Sequence, residues 1–156
     1  MSKSILTFTV YGTAIPQGSK RAFSMKTKGG KNITRVVNDN PNLERWRQQV
    51  AETALEKWGN APLDRCDAVR LSLAFFRPRP ASHYGTGRNA GTLKASAPAF
   101  PTGRPDTVKL ARAVEDALTG IVWRDDAQVC RHWLTKHWGE RHCVEVQIYI
   151  LDETEG

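Results

Sequence analysis

The sequence predicts an α+β fold, in which a small mixed or mainly antiparallel sheet is flanked by two main helices. Four stretches of the chain alternate between apolar and polar residues, which is the spacing of a half-buried strand. Two other stretches repeat apolar residues every three or four positions, which is the spacing of an amphipathic helix. Because the chain has 156 residues, we expect a single domain over 1–156 with its own core.

The predicted strands are recognised by alternation along the chain. In the first, Leu6, Phe8 and Val10 share one face, because successive side chains of a strand point to opposite sides. Gly139 and Glu140 fit a turn between the last two strands. The four predicted strands cover 4–12, 67–76, 127–137 and 142–150.

The two predicted helices have apolar stripes and recognisable ends. The first covers 42–58, with Asn42 as a plausible cap and Gly59 as a stop. The second covers 105–118, with Pro105 in the first turn, where its missing N–H costs nothing. Each helix therefore offers one face to a common core.

Two long loops, about 13–41 and 77–104, are predicted between these elements, and the first has room for a short hairpin at Gly29 and Gly30. Residues 16–47 contain eight Lys and Arg against two acids, and residues 77–112 contain seven against one. Such cations bind phosphates by releasing counterions. The candidate DNA-binding residues are Lys20, Arg21, Lys26, Lys28, Lys31, Arg35, Arg77, Arg79, Arg104 and Lys109.

The overall composition favours a polyanionic partner. The chain carries a formal net charge of +7 and has a pI near 9.6. It contains no apolar run of about 18 residues, and its first residues alternate as a strand does, so we expect a cytoplasmic protein with no membrane partner. Three isolated cysteines, Cys66, Cys130 and Cys143, are expected to be buried, reduced thiols.

Three aspartates beside the second helix have either a structural role or a role in binding a metal ion. Asp106 at the helix start complements the helix dipole, and Asp125 and Asp126 are ordinary turn residues. If the helix packs antiparallel to the segment after it, Asp126 returns toward Asp106. Clustered carboxylates then need a cation, and Mg²⁺ is normally held by one or two carboxylates with waters and phosphates. An acidic metal pocket in a basic surface is typical of an enzyme that cleaves phosphodiesters.

Other residues with possible chemistry have plainer explanations. His132, His137, His142, Cys130 and Cys143 lack the closely spaced pairs of a structural zinc site, and they are expected to be ordinary strand residues.

The tryptophans on the later strands also leave two alternatives. Trp123, Trp133 and Trp138 are usually core residues in this context, and the alternative is that they stack on unpaired bases.

With these residues in view, the chain resembles the RusA family of Holliday-junction resolvases, in particular its phage-type members. The family pattern is Asp-x-Asp-Asn-Leu-x-Lys, then Asp-Ala-Leu, then Asp-Asp-Ala-Gln-Val. The matches are Asp106, Leu110, "DAL" at 116–118 and "DDAQV" at 125–129. "PQGSKR" at 16–21 is similar to the N-terminal loop of phage-type members.

The resemblance implies a Mg²⁺-dependent homodimeric endonuclease, with Mn²⁺ as a substitute ion, that nicks two strands of a four-way junction. It implies Asp106 and Asp126 as catalytic residues and metal ligands, Asp125 in support, and Arg112 near the scissile phosphate. Its expected setting is the cytoplasm of a bacterium, with a bacterial or phage gene, in DNA recombination and repair.

Three positions depart from the family pattern: Val108 replaces its second aspartate, Lys109 its asparagine and Arg112 its lysine. Val108 removes a metal ligand. Asp116 is not expected to replace it, because ten helical residues place it about 15 Å along the axis from Asp106. Glu115 is set aside for the same reason.

Two alternatives to the resolvase remain open at this stage. The first is a non-catalytic protein that binds branched DNA and has a degenerate metal site at Val108. The second is a metal nuclease that acts on flaps or single strands.

Overall fold

A computed structural model of the chain describes residues 2–18, 21–37 and 40–156. It has two α-helices and six β-strands together with short 3-10 turns, and this confirms the α+β class. In chain order the elements are β1 (Lys3–Tyr11), β2 (Arg21–Lys26), β3 (Asn32–Val37), α1 (Leu43–Trp58), β4 (Val69–Arg77), α2 (Thr107–Leu118), β5 (Val129–Trp138) and β6 (Cys143–Ile150).

The main sheet has the strand order β1-β6-β4-β5 and is mixed. β6 is antiparallel to both β1 and β4, whereas β5 is parallel to β4. The parallel pair follows from the chain path, because α2 lies between β4 and β5 and provides the crossover that parallel neighbours require. All four predicted strands are confirmed, and each of their ends lies within two residues of its predicted position.

The core lies between one face of this sheet and the two helices. On the strands it takes the alternating apolar residues, such as Leu71 and Leu73 on β4 and Val146 on β6, all of which are at most 1% exposed. α1 contributes the stripe that contains Trp46 and Val50. This packing confirms the alternation and the helical stripes read from the sequence.

α1 is confirmed almost residue for residue, and α2 begins two residues later than predicted. Asp106 has an extended backbone, with φ −72° and ψ 143°, and is the N-cap of α2 rather than part of its first turn. Its carbonyl accepts the first helical hydrogen bond, from the Leu110 N–H at 3.1 Å. Pro105 therefore precedes the helix.

The two basic loops contain more structure than a flexible loop would. β2 and β3 pair as an antiparallel hairpin within 13–41, and their turn is closed by the Thr27 N–H, which donates to the Lys31 carbonyl at 3.0 Å. The 77–104 loop contains two 3-10 turns and a bridge between Tyr84 and Leu93.

The expectation of buried thiols is wrong for two cysteines. Cys66 and Cys130 are exposed and Cys143 is half-buried, and all three are free. Cys66 lies in the connection before β4, and Cys130 is the extra residue on β5 at the irregularity in its pairing with β4.

Candidate active site

Asp106 has an exposed carboxylate at the start of α2. An N-cap aspartate commonly accepts a hydrogen bond from the first helical turn, but the Asp106 side chain accepts none. Its Oδ2 lies 3.7 Å from Lys109 Nζ, and the side chain is 63% exposed. Side-chain capping therefore does not account for this residue, although its charge still complements the helix dipole.

The segment that leads into Asp106 is held by two cations from the sheet. Lys136 Nζ donates to the carbonyls of Gly103 and Pro105 at 2.9 and 3.1 Å. The Arg77 guanidinium donates to the Arg104 carbonyl at 2.9 Å. Three consecutive carbonyls thus each accept from a charged side chain, and this fixes the backbone immediately before Asp106.

Asp125 serves its own turn. Its carboxylate accepts from the Ala127 N–H at 2.9 Å. It also forms a capping box with Gln128, in which the Asp125 carboxylate accepts from the Gln128 N–H and the Asp125 N–H donates to Gln128 Oε1 at 3.1 Å. The bond from Ala127, with smaller contributions from Asp126 and Arg65, lowers the pKa of Asp125. Asp125 is therefore ionised and occupied by a structural role.

Asp126 faces a cavity of about 480 Å³ beside α2, which we call the α2 cavity. The residue itself is exposed, and it follows Asp125 in the short 3-10 turn before β5. The polar side chains that line the cavity with Asp126 are Gln17, Arg112, Glu115, Asp116 and His132.

Asp106 does not line the α2 cavity. It lies in a separate groove of about 340 Å³ with Arg104 and Lys109. Val108, which is 60% exposed, does line the α2 cavity. Within this one chain, the two aspartates singled out by the sequence thus open onto two neighbouring surfaces of α2.

Gln17 anchors the N-terminal loop against α2. It is only 8% exposed, and its backbone N–H donates to the Lys109 carbonyl at 3.0 Å. Its Nε2 donates to Asp116 Oδ2 at 2.6 Å, whereas its Oε1 is buried without a hydrogen-bond partner. A buried acceptor without a donor is costly, so this oxygen favours a donor or a cation at the cavity wall.

A second polar pair lies on the β5 side of the cavity. His132 Nε2 and Glu115 Oε2 are 2.5 Å apart, which joins α2 to β5. Sequence reasoning did not select Gln17, Glu115, Asp116 or His132. Asp116 and Glu115 were judged by their distance from Asp106, whereas the fold places both beside Asp126.

Over residues 2–18, 21–37 and 40–156, no three His, Cys, Asp or Glu side chains are grouped closely enough to hold a metal ion. The oxygen donors of the α2 cavity are nevertheless of the hard type that Mg²⁺ prefers. Val108 explains part of this shortage of metal-ligating side chains. It places an aliphatic side chain in the cavity at the position where the resembled family pattern has an aspartate.

The comparisons with known proteins identify the family of this chain. A family model described as "Endodeoxyribonuclease RusA" matches residues 14–149, which includes α1, α2, β4, β5 and all of β6 except its last residue, whereas β1 precedes the matched range. The chain belongs to the RusA endodeoxyribonuclease family. It is also 28% identical over 146 residues to the Bacillus subtilis protein YqaN, which is described as uncharacterized. That alignment covers 90% of this chain and 93% of YqaN.

The hairpin of this RusA-family chain presents several of the predicted DNA-binding cations. Lys26, Lys28, Lys31 and Arg35 are all exposed. Lys20 lies outside the described residues, and so does the side chain of Arg21. The exposed cations agree with a phosphate-binding role, which stays a prediction.

Arg77 and Arg79 are bound within the fold instead. Their guanidinium carbons lie 4.9 and 5.3 Å from the centre of the Trp138 ring. Arg79 also donates to the Pro98 carbonyl at 2.8 Å. Both guanidinium groups thus stabilise the 77–104 loop, and any contact with DNA would be in addition to that role.

In the described part of this RusA-family chain, no helix is both long and apolar enough to cross a bilayer.

Proposed function

We propose that this chain is a Mg²⁺-dependent, structure-selective endodeoxyribonuclease that resolves four-way DNA junctions by paired nicks. The observation that carries the proposal is the α2 cavity, which brings Asp126, Asp116 and Arg112 together at the surface of a RusA-family chain. Acids beside exposed cations are what phosphodiester cleavage needs, because the acids hold a metal and the cations hold DNA.

Asp106 and Asp126 are the proposed catalytic carboxylates and metal ligands. The fit of Mg²⁺ is supported by the unpartnered Gln17 Oε1, and by the carboxylates of Asp126 and Asp116 in the same cavity. Mg²⁺ commonly takes only one or two carboxylates from the protein. When bound, the ion would supply an acidic water and neutralise phosphate charge, and Mn²⁺ would substitute for it.

The chain's own residues position the substrate. Arg112 is exposed in the α2 cavity, and its permanently charged guanidinium can offset charge on a phosphate without exchanging protons. The hairpin cations bind the sugar-phosphate backbone. Asp125 supports the site indirectly, because its capping box fixes the turn that carries Asp126.

A symmetric homodimer is part of the proposal. Each chain has one α2 cavity, whereas paired nicks need two sites, and a closed two-fold dimer supplies the second. The proposed setting is DNA recombination and repair in the cytoplasm of a bacterium or of a phage-infected bacterium.

The second candidate function is a protein that binds branched DNA without cutting it. Val108 favours it, because this residue removes one carboxylate from the α2 cavity. The two candidates differ in metal-dependent cleavage and share the binding of branched DNA.

A junction-cleavage assay with a labelled four-way junction tests the proposal. We expect nicked products with Mg²⁺ or Mn²⁺ and none with a chelator. Asp106→Asn and Asp126→Asn should each abolish cleavage while junction binding in a gel persists. Glu56→Gln is the matched control, because Glu56 is an exposed acid on α1 that lines neither the groove nor the cavity.

Wild-type cleavage rates in both aspartate variants would refute the assignment of these carboxylates. Junction binding by the wild type without cleavage in either metal would favour the non-catalytic binder. Asp116→Asn is the further informative variant. If Mn²⁺ affinity measured by calorimetry falls in Asp116→Asn but not in Asp106→Asn, the metal lies in the α2 cavity without Asp106.

A further inference from the structure

The structure separates three tryptophans that the sequence treats alike. Trp123 is fully buried, and its indole N–H donates to the Thr119 hydroxyl at 3.1 Å. Trp138 lies close to the guanidinium groups of Arg77 and Arg79 and donates to the Pro98 carbonyl at 3.0 Å. Trp133 is 69% exposed. Burial explains the first and loop packing the second, so the exposed indole of Trp133 is left without a structural role.

Trp133 lies on the side of the main sheet opposite the core. On β5, His132 and Leu134 point toward α2 or the core, and Trp133 alternates with them. Its partner on β4 is Ser72, which alternates with the buried Leu71. This face, which we call the open face, carries Trp133, Arg131 and Thr135 on β5, Arg70 and Ser72 on β4, and Gln147 and Tyr149 on β6.

The open face carries a second aromatic group beside a cation. Arg70 is directly opposite Tyr149 in the β4–β6 register, and its guanidinium carbon lies 3.9 Å from the centre of the tyrosine ring. The Arg70 Nε is buried without a partner. Because neighbouring strands are about 4.8 Å apart, the strands of Trp133 and Tyr149 are separated by roughly 10 Å.

Charge on this side of the sheet favours a polyanion. Arg70 lies on the open face, and Arg141 lies over the Tyr11 ring on the same side, with its guanidinium carbon 4.6 Å from the ring centre. Arg131 also lies on this face, and its guanidinium donates to the Glu155 carbonyl in the C-terminal turn. The acid on that side of β6 is Glu145. Like charges disfavour two-fold pairing of this face with a second copy of itself.

We propose that the open face binds single-stranded DNA, with an unpaired base stacked on Trp133 and phosphates held by Arg70 and its neighbouring cations. An exposed indole presents a flat π surface to any base and does not need a specific sequence. Bases in an intact duplex are already stacked on one another, so the face distinguishes unpaired from paired DNA. This site lies on the other side of the sheet from the α2 cavity, and the proposal does not depend on cleavage or on a metal.

The first test measures the affinity of the full chain for an oligothymidylate of about 16 nucleotides. Fluorescence anisotropy with a chelator present avoids any cleavage. We expect Trp133→Ala to bind the single strand about 5- to 150-fold more weakly, which is the effect of losing one stacked base. Affinity for a blunt duplex of the same length should change by less than about twofold. An unchanged affinity for the single strand would overturn the proposal.

Two variants control this measurement. Trp133→Phe keeps an aromatic ring and should retain most of the affinity for the single strand. Leu55→Ala removes a similarly exposed apolar side chain, 59% exposed, from α1 and should bind as the wild type does. Equal losses in Leu55→Ala and Trp133→Ala would show that the effect is not specific to the open face, and this would also overturn the proposal.

A spectroscopic readout covers the case in which Trp133→Ala fails to fold. Binding of the single strand should quench tryptophan fluorescence in the wild type, and the quench should be absent in Trp133→Phe although that variant still binds. A quench of equal size in Trp133→Phe would place the bases elsewhere. Light scattering tests the remaining alternative, in which a second copy of the chain covers the open face. Conversion of a dimer to a monomer by Trp133→Ala would support that alternative and overturn the proposal.

Discussion

Replacing Lys136 with methionine tests whether the two sheet cations fix the position of Asp106. Met retains the length and apolar stem of the lysine and removes only the ammonium group. That group donates to the carbonyls of Gly103 and Pro105, on both sides of the Arg104 carbonyl that Arg77 holds. Without it, the three-carbonyl segment before Asp106 keeps a single charged donor.

The size of the effect follows from these contacts. A hydrogen bond to a charged group contributes about 1.5–3 kcal/mol, and the bond to Gly103 is solvent-exposed whereas the bond to Pro105 is partly buried. Since water replaces much of the exposed bond, we expect Lys136→Met to cost about 2 kcal/mol. For a chain of this size, that corresponds to a fall in Tm of about 4–8 °C.

The assay combines denaturant unfolding with junction cleavage at saturating Mg²⁺. We expect lower stability and at least tenfold slower cleavage, because small displacements of a catalytic group are costly. Lys94→Met is the matched control: Lys94 donates to the Ser82 carbonyl at 2.9 Å within the same loop, away from Asp106. It should cleave at the wild-type rate. Wild-type stability in Lys136→Met would refute the contacts, and loss of stability with normal cleavage would show that Asp106 does not depend on them.

Three further predictions concern the fold around the site. Trp123→Ala should cost about 3–5 kcal/mol in urea unfolding, because it empties a fully buried site; a cost below about 1 kcal/mol would contradict that burial. Gly120→Ala should lower the free energy of unfolding by about 1–2 kcal/mol, because Gly120 has φ +86°, a backbone conformation that alanine adopts only with strain. Gly29→Ala is the control and should not change the free energy of unfolding, because Gly29 has open space around it and no positive φ. Asp125→Ala should lower Tm at neutral pH. Since the pKa of folded Asp125 lies below its ordinary 3.8, the folded state binds fewer protons than the unfolded state there. The charge-dependent part of the stability difference between wild type and Asp125→Ala should therefore be fully present above pH 3.8 and disappear as pH falls through the lowered pKa. A charge-dependent difference that grows on acidification would contradict the last of these.

Local sequence patterns were sufficient to predict the helices and the strands of the main sheet. The alternation of Leu6, Phe8 and Val10 gave a strand, and the spacing of Trp46 and Val50 gave a helix, because burial of one face is a property of sequence spacing alone. The start of α2 was missed by two residues, because Asp106 is the N-cap, with an extended backbone, and the helix begins at Thr107.

The candidate site was predicted less completely. The sequence selected Asp126 and Arg112, which do meet in one cavity. It set Asp116 aside because the distance along α2 was measured from Asp106. It placed Gln17 in a loop similar to that of phage-type members but did not predict its contact with Asp116, which is 99 positions away. Contacts at such separations depend on how loops return to the helix, and local spacing carries no information about that.

The sequence by itself determined the fold class, the order of helices and strands, the basic surface and the resemblance to the RusA family, because periodicity, charge and motif are all local or additive properties. Only the tertiary structure decided that Asp106 and Asp126 open onto different surfaces of α2, that Asp125 serves its turn, and that Trp133 alone among three tryptophans faces solvent. Each of these depends on which side of an element packs against another, and that choice is made by the whole core at once.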